Sequence, residues 1–342
     1  MSNSFNTVSM TNTDKLLGEG IFAYLLSDAA FKVVVCTPEN EKLLIEILEL
    51  LIPGKHIESI TFVNKEMHGL VITEKNVNFD LLCKDKDTGE EFLVEVQNKE
   101  QKSFRDRMLV YSTYPIREQM EIRAQEIRNG TVRDPMDYSL KPVYVVSMVN
   151  FAFDHQNEDA IEHGYISRYD LRNGRNGELM TDSLHFVFLE LGRLKLKATE
   201  ADKCKTLLER FVFSLKYMHT LKAKPQGFED DLLNRLYSAT KLASMTVTTR
   251  QNYDKVMWTE IDQIATTAFA TEKAKKEGFA EGKAEGMAEG KAKGKAEGKA
   301  EGKADAQKEI ARAMLSRRIE TALIAECTGL SPQEILNLGQ KN

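Results

Sequence analysis

Leu43, Leu44, Ile47, Leu50 and Leu51 recur at i, i+3/i+4 spacing, the stripe of a helix that turns one side to a core. Asn40 is a capping residue type at its start, and Pro53-Gly54 stop it. The period then changes. Ile57 to Val63 and Gly69 to Thr73 read as strands, and the apolar runs Val77 to Cys83 and Phe92 to Gln97 flank a turn of Lys, Asp, Thr and Gly, which predicts a hairpin. A long helix is expected from Ser103 to Arg128, ended by Asn129-Gly130 and kinked at Pro115. Val143 to Phe151 is nearly all apolar, as in a strand buried on both faces; His185 to Leu191 is similar but alternates less cleanly. Further helices are expected over 14–26, 201–221, 230–245 and 251–270, with Leu207, Leu208, Phe211 and Leu215 as a second core stripe. The sum is an α/β fold with a mixed sheet: an antiparallel hairpin, then strands reached over a long helix.

The 342 residues leave room for one sizeable core with appendages. Polar residues 1–13 are expected to be disordered; 14–199 form the core, and 200–272 a helical extension. Residues 273–305 are a repeat with glycine at every fourth position, and 306–342 a small helical hairpin. Charged residues make up 29% and the net charge is −5, so any DNA contact must come from a local basic patch. The four cysteines are far apart and form no C-x-x-C, which argues for reduced thiols in a cytoplasmic protein and against zinc. No leader pattern opens the chain and no run of 18 apolar residues occurs, so secretion and membrane spanning are not expected.

Candidate chemistry centres on the hairpin. With its turn between Asp87 and Thr88, Asp80 falls opposite Glu95. Glu95 and Gln97 then share one face, with Phe92, Val94 and Val96 on the other. Opposed carboxylates about 5 Å apart repel one another, and a divalent cation would convert that liability into a site; Mg²⁺ takes one or two carboxylates and keeps several waters. On spacing alone, the alternative is a surface hairpin whose outer face carries Asp80, Glu95 and Gln97. In the long helix, Arg105 and Arg107 lie about 200° apart, so only one can address a given phosphate. Arg107 and Tyr111 are i, i+4 neighbours and form one patch. Arg107 either clamps phosphate, with Tyr111 positioning it, or pairs with Asp106 or a glutamate elsewhere; Arg105 reads as structural. Glu46 reads as a solvated glutamate. His155, His163 and His185 lack mutual ligand spacing and read as structural too.

The series Asp80…Glu95-Val96-Gln97 resembles the PD-(D/E)XK nuclease signature, and more closely that of the transposase-like recombination-promoting nuclease (Rpn) family. The likeness extends through D-A-A-F-K (Asp28 to Lys32), F-D-L-L-C (Phe79 to Cys83), F-R-D-R-M-L-V-Y (Phe104 to Tyr111), V-Y-V-V-S-M-V-N-F (Val143 to Phe151) and H-F-V-F-L-E-L (His185 to Leu191). It implies a restriction-endonuclease-like core and a Mg²⁺-dependent DNA endonuclease, with Mn²⁺ as the alternative ion. Asp80, Glu95 and the Val96 carbonyl would hold the metal. The superfamily's lysine two places after the acid is Gln97 here, a residue the family commonly carries. Lys99, read as further along the same strand face, would supply charge, and Gln97 and Lys99 would orient water or steady the developing negative charge. The competing class is a catalytically weak or inactive nuclease fold used for DNA or protein binding and assembled through its C-terminal half.

Glycine recurs every fourth residue from Gly278 to Gly302, mostly in E-G-K-A units. Each interior glycine costs a helix about 1 kcal/mol relative to alanine. In the repeat Glu mostly meets Glu, and Lys meets Lys, at i+4. A linker and a helix rescued by a partner helix both fit, and the family's similar repeats favour a spacer or homo-oligomerisation role. Ile324 to Leu336 resembles a helix-turn-helix, with Gly329 in the turn and Ser331 capping before Pro332. Its second helix offers Gln333, Glu334 and Asn337 but no Arg or Lys, so a packing or dimerisation hairpin is the favoured reading over a base reader.

Overall fold

The structure, a computed structural model, describes residues 20–63, 81–131, 134 and 136–339. Two compact units divide between Gln263 and Ile264. The first is built on a sheet of β1 (Ile60–Phe62), β2 (Leu81–Asp85), β3 (Glu91–Gln97), β4 (Val143–Val149), β5 (Ile161–Glu162), β6 (Ile166–Asp170) and β7 (Leu184–Glu190), in the order β1-β2-β3-β4-β7-β6-β5. The pairs β3–β4 and β4–β7 are parallel and the others antiparallel. A parallel pair needs a crossover, and α3 (Phe104–Arg128) lies between β3 and β4 in the chain. The expected mixed sheet is therefore present.

Its centre is dry. All seven residues of β3 and all seven of β4 are buried, as the apolar run of β4 implied. On one face Phe104, Met108 and Tyr114 of α3 pack with Leu93, Val145, Val149 and Phe188. The helices α1 (Asp28–Val34) and α2 (Glu41–Leu51) supply further core, Phe31, Leu44, Ile47, Leu48 and Leu51 among it, and α1 packs against β3. Then come α4 (Leu207–Tyr217), opened by a capping box of Thr206 and Glu209, and α5 (Asp231–Thr240). Arg235 of α5 grips Glu46 of α2 from Nε at 2.9 and 3.1 Å, so Glu46 is an anchor between helices rather than a solvated acid.

Several expectations are corrected. Residues 20–26 are not helical; Phe22 bridges Lys241, and Ala23 N–H donates to the Thr240 carbonyl. Asn40 does not cap α2, because its side chain donates to the Val34 carbonyl at 2.8 Å. Helix begins at Leu207 rather than at 201, where the Thr206 cap satisfies the first free N–H groups. The strand expected over 69–73, and residues 14–19 of the first expected helix, lie outside the described residues.

α6 (Val247–Ser316) carries the unit boundary and runs through the whole glycine repeat. Helix, not irregular linker, is its conformation. Its seven repeat glycines have open space where a Cβ would stand. In the second unit α7 (Thr321–Thr328) and α8 (Pro332–Gly339) fold against the end of α6, burying Ala311, Ile324 and Ile335. Gly329 takes the left-handed φ of 71° that ends α7, and Ser331 and Glu334 exchange hydrogen bonds across the first turn of α8. Among the described residues no helix is long and apolar enough to cross a membrane.

Candidate active site

The hairpin has the predicted register, with Leu81 opposite Val94, Leu82 opposite Leu93 and Lys84 opposite Glu91. Asp80 lies outside the described residues. Alternation along β3 puts Leu93, Glu95 and Gln97 on the α3 face. The surface-hairpin alternative fails here: Glu95 is 3% and Gln97 6% exposed, because β3 is an interior strand flanked by β2 and β4 and roofed by α3. Asn150 N–H donates to the Gln97 carbonyl at 2.9 Å. Peptide groups alternate sides along a strand, so the Val96 carbonyl turns to the β2 side.

Phe104, Arg107, Met108 and Tyr111 occupy positions i, i+3, i+4 and i+7 of α3, one stripe directed at the sheet. Burial of Phe104 and Met108 therefore brings the arginine between them onto the buried acid. Arg107 Nη2 donates to Glu95 Oε1 at 3.0 Å and to Gln97 Oε1 at 2.6 Å, and Nη1 donates to Gln101. Its guanidinium also stands 4.9 Å from the Phe104 ring centre and 5.6 Å from that of Tyr111. A guanidinium only donates, so the Gln97 oxygen must face Arg107 and the amide N–H₂ is turned elsewhere. The two alternatives for Arg107 thus converge: its glutamate partner is the candidate metal ligand itself. Arg105, on another side of the helix, stacks 4.2 Å over Phe153 and is structural as expected.

Lys99 needs a correction. β3 ends at Gln97 and Lys99 sits exposed in the bend beyond it, so it does not continue the strand face. Its charge reaches Glu260 of α6, whose carboxyl burial pushes above the usual range, partly offset by a hydrogen bond with Ser27 and by Lys99. Nothing in the sequence pattern marked Glu260, because it is brought there by packing of Met257 and Tyr253, one and two turns earlier.

A second acid was also missed. Glu190 ends β7, wholly buried, and accepts from Ser167 Oγ at 2.7 Å, Phe153 N–H at 3.0 Å and Arg193 Nε at 2.8 Å; His155 Nε2 lies 2.8 Å away. A lone acid closing an apolar strand was the available signal. Burial opposes its ionisation, but these partners hold its carboxyl below the usual range. His155 thus serves a structural acid, and His185 pairs with Asp170 at 2.9 Å, in keeping with structural histidines. Among the described residues no group of three or more His, Cys, Asp or Glu could hold a metal ion.

The strand order and this acid-amide-arginine cluster accompany a match of residues 25–270 to the model of the PD-(D/E)XK nuclease family transposases. The chain belongs to that family. In this PD-(D/E)XK transposase-family protein the matched segment runs past the His185–Leu191 motif through α4 and α5 to the start of α6. Residues 304–340 match the C-terminal HTH domain of the Rpn/YhgA-like nuclease family. The hairpin of α7 and α8, with the end of α6, is therefore similar to that family's helix-turn-helix domain. No curated protein and no solved structure gives a significant match.

Proposed function

We propose that this PD-(D/E)XK protein is a Mg²⁺-dependent DNA endonuclease, with Mn²⁺ as the alternative ion. The observation that carries the reading is a carboxylate buried on an interior strand and gripped by an arginine that can reach phosphate. Glu95 and the Val96 carbonyl are hard oxygen donors on one strand, as Mg²⁺ requires. Asp80 is the second carboxylate, a role supported by the sequence spacing that sets it opposite Glu95 across the hairpin turn. One or two carboxylates with water and phosphate oxygens make a Mg²⁺ set, so the residues fit. When bound, the ion lowers the pKa of its water and neutralises charge at phosphorus.

The chain's own residues do the rest. Glu95 cannot give the same lone pair to Arg107 and to a cation, so Arg107 exchanges Glu95 for a backbone phosphate oxygen, a charge-assisted contact. Tyr111, whose ring centre stands 5.6 Å from the guanidinium, helps to position it. Gln97 cannot accept a proton from water and acts by donating its N–H₂ to the attacking water or to a phosphate oxygen. Lys99, in the bend, adds positive charge at the mouth. Water forms the new P–O bond as the bond to the leaving oxygen breaks. DNA is the partner, with the helix-turn-helix domain as a second contact. The α6 repeat and the terminal hairpin are the candidate oligomerisation elements. Plasmid nicking tests the reading: cleavage with Mg²⁺ that stops with EDTA and with Asp80→Ala or Glu95→Ala supports it. Activity surviving those substitutions, or none in the wild type, refutes it and favours the non-catalytic binding module.

A further inference from the structure

β4 reads V-Y-V-V-S-M-V, and its one aliphatic hydroxyl belongs to Ser147. The register pairs Ser147 with Glu95 on one side and Phe188 on the other. In parallel strands register partners stand on one face, and neighbouring strands lie about 4.8 Å apart. Ser147 therefore flanks the candidate metal ligand beneath α3.

This hydroxyl is 0% exposed and has no hydrogen-bond partner among the described residues. The other buried serines are all engaged. Ser27 accepts from Ala30 N–H, Ser112 donates to the Leu109 carbonyl, Ser167 to Glu190 and Ser214 to the Arg210 carbonyl. A second orphan sits on the ion-pair partner of Glu95, for Arg107 Nε is also buried without a partner among the described residues. Buried polar atoms are almost always paired. Two unpaired ones beside the same carboxylate mark a site whose partners change when it is filled.

We propose that Ser147 is a positioning residue for Glu95. It rests on the metal-site reading above. When Arg107 turns to phosphate, Glu95 Oε1 loses its Arg107 Nη2 donor, and the Ser147 hydroxyl donates to the carboxylate in its place. That bond fixes the carboxylate in its ligating orientation, the outer-shell service that metal ligands generally receive. Alanine removes the hydroxyl and nothing else of consequence to packing.

Mn²⁺ binding to the full chain by titration calorimetry, with thermal melting in EDTA, tests the assignment. Ser147→Ala is expected to melt in EDTA at or above the wild-type temperature, yet to bind Mn²⁺ about 10-fold more weakly. Ser147→Thr, which keeps the hydroxyl, should recover most of the affinity, and Ser147→Ala should add nothing in a Glu95→Gln background. Wild-type affinity in Ser147→Ala alongside lost binding in Glu95→Gln overturns the role of Ser147 and leaves the metal site standing. A clearly lower melting temperature in EDTA also overturns it, because the hydroxyl would then have a structural partner. A wild-type chain that binds no Mn²⁺ overturns both.

Discussion

Replacing Arg107 with methionine probes the pair on which the site is built. Glu95 keeps only 4% side-chain exposure and Arg107 keeps 28%. Removing one partner of a fully buried ion pair costs about 3–5 kcal/mol, because the other charge is left uncompensated. Water can partly replace a guanidinium that is itself partly exposed, so the expectation here is about 2–3 kcal/mol. Methionine preserves much of the apolar stem, which keeps the loss of packing small. The assay is urea denaturation in EDTA, repeated with Mg²⁺. In EDTA the variant should lose that stability. With Mg²⁺ it should regain a share, since the ion supplies the missing positive charge and no longer competes with Arg107. Arg107→Lys should fall between, having the charge but not the fork that spans Glu95 and Gln97. A loss below about 0.5 kcal/mol in EDTA, the level of an ordinary surface change, would refute the argument that Glu95 depends on this arginine.

Gly192→Ala should destabilise by about 1–3 kcal/mol or more, seen in the same denaturation assay, because a Cβ there would stand 2.4 Å from the Phe151 carbonyl carbon. Gly290→Ala, in open space on α6, should raise helix content by circular dichroism and stabilise by about 1 kcal/mol; no gain would contradict the helical repeat. Glu190 has a carboxyl held below its ordinary value of 4.5. A depressed carboxyl stabilises the fold above the unfolded value, and the contribution is lost as pH falls through the folded one. Acid unfolding of the wild type should therefore steepen below about pH 4.5, and Glu190→Gln should flatten that limb while lowering stability at pH 7.

Strands β3 and β4, helices α2 and α3, the hairpin register and the shared face of Glu95 and Gln97 were all legible in the chain, because each rests on local periodicity and turn chemistry. Capping at Ser331 and the left-handed Gly329 were legible for the same reason. The sequence also assigned Arg107 and Tyr111 to one patch, since i, i+4 spacing fixes that within any helix. It left open whether the patch met the acid or faced water. Only the packing of Phe104 and Met108 on the sheet set Arg107 against Glu95, and only the parallel register of β3 on β4 set Ser147 beside it. The same holds for Glu260 and for the Glu46–Arg235 tie, which join residues more than a hundred positions apart. Contacts of that kind depend on how elements dock, and docking is decided by the shapes of whole faces rather than by any spacing along the chain.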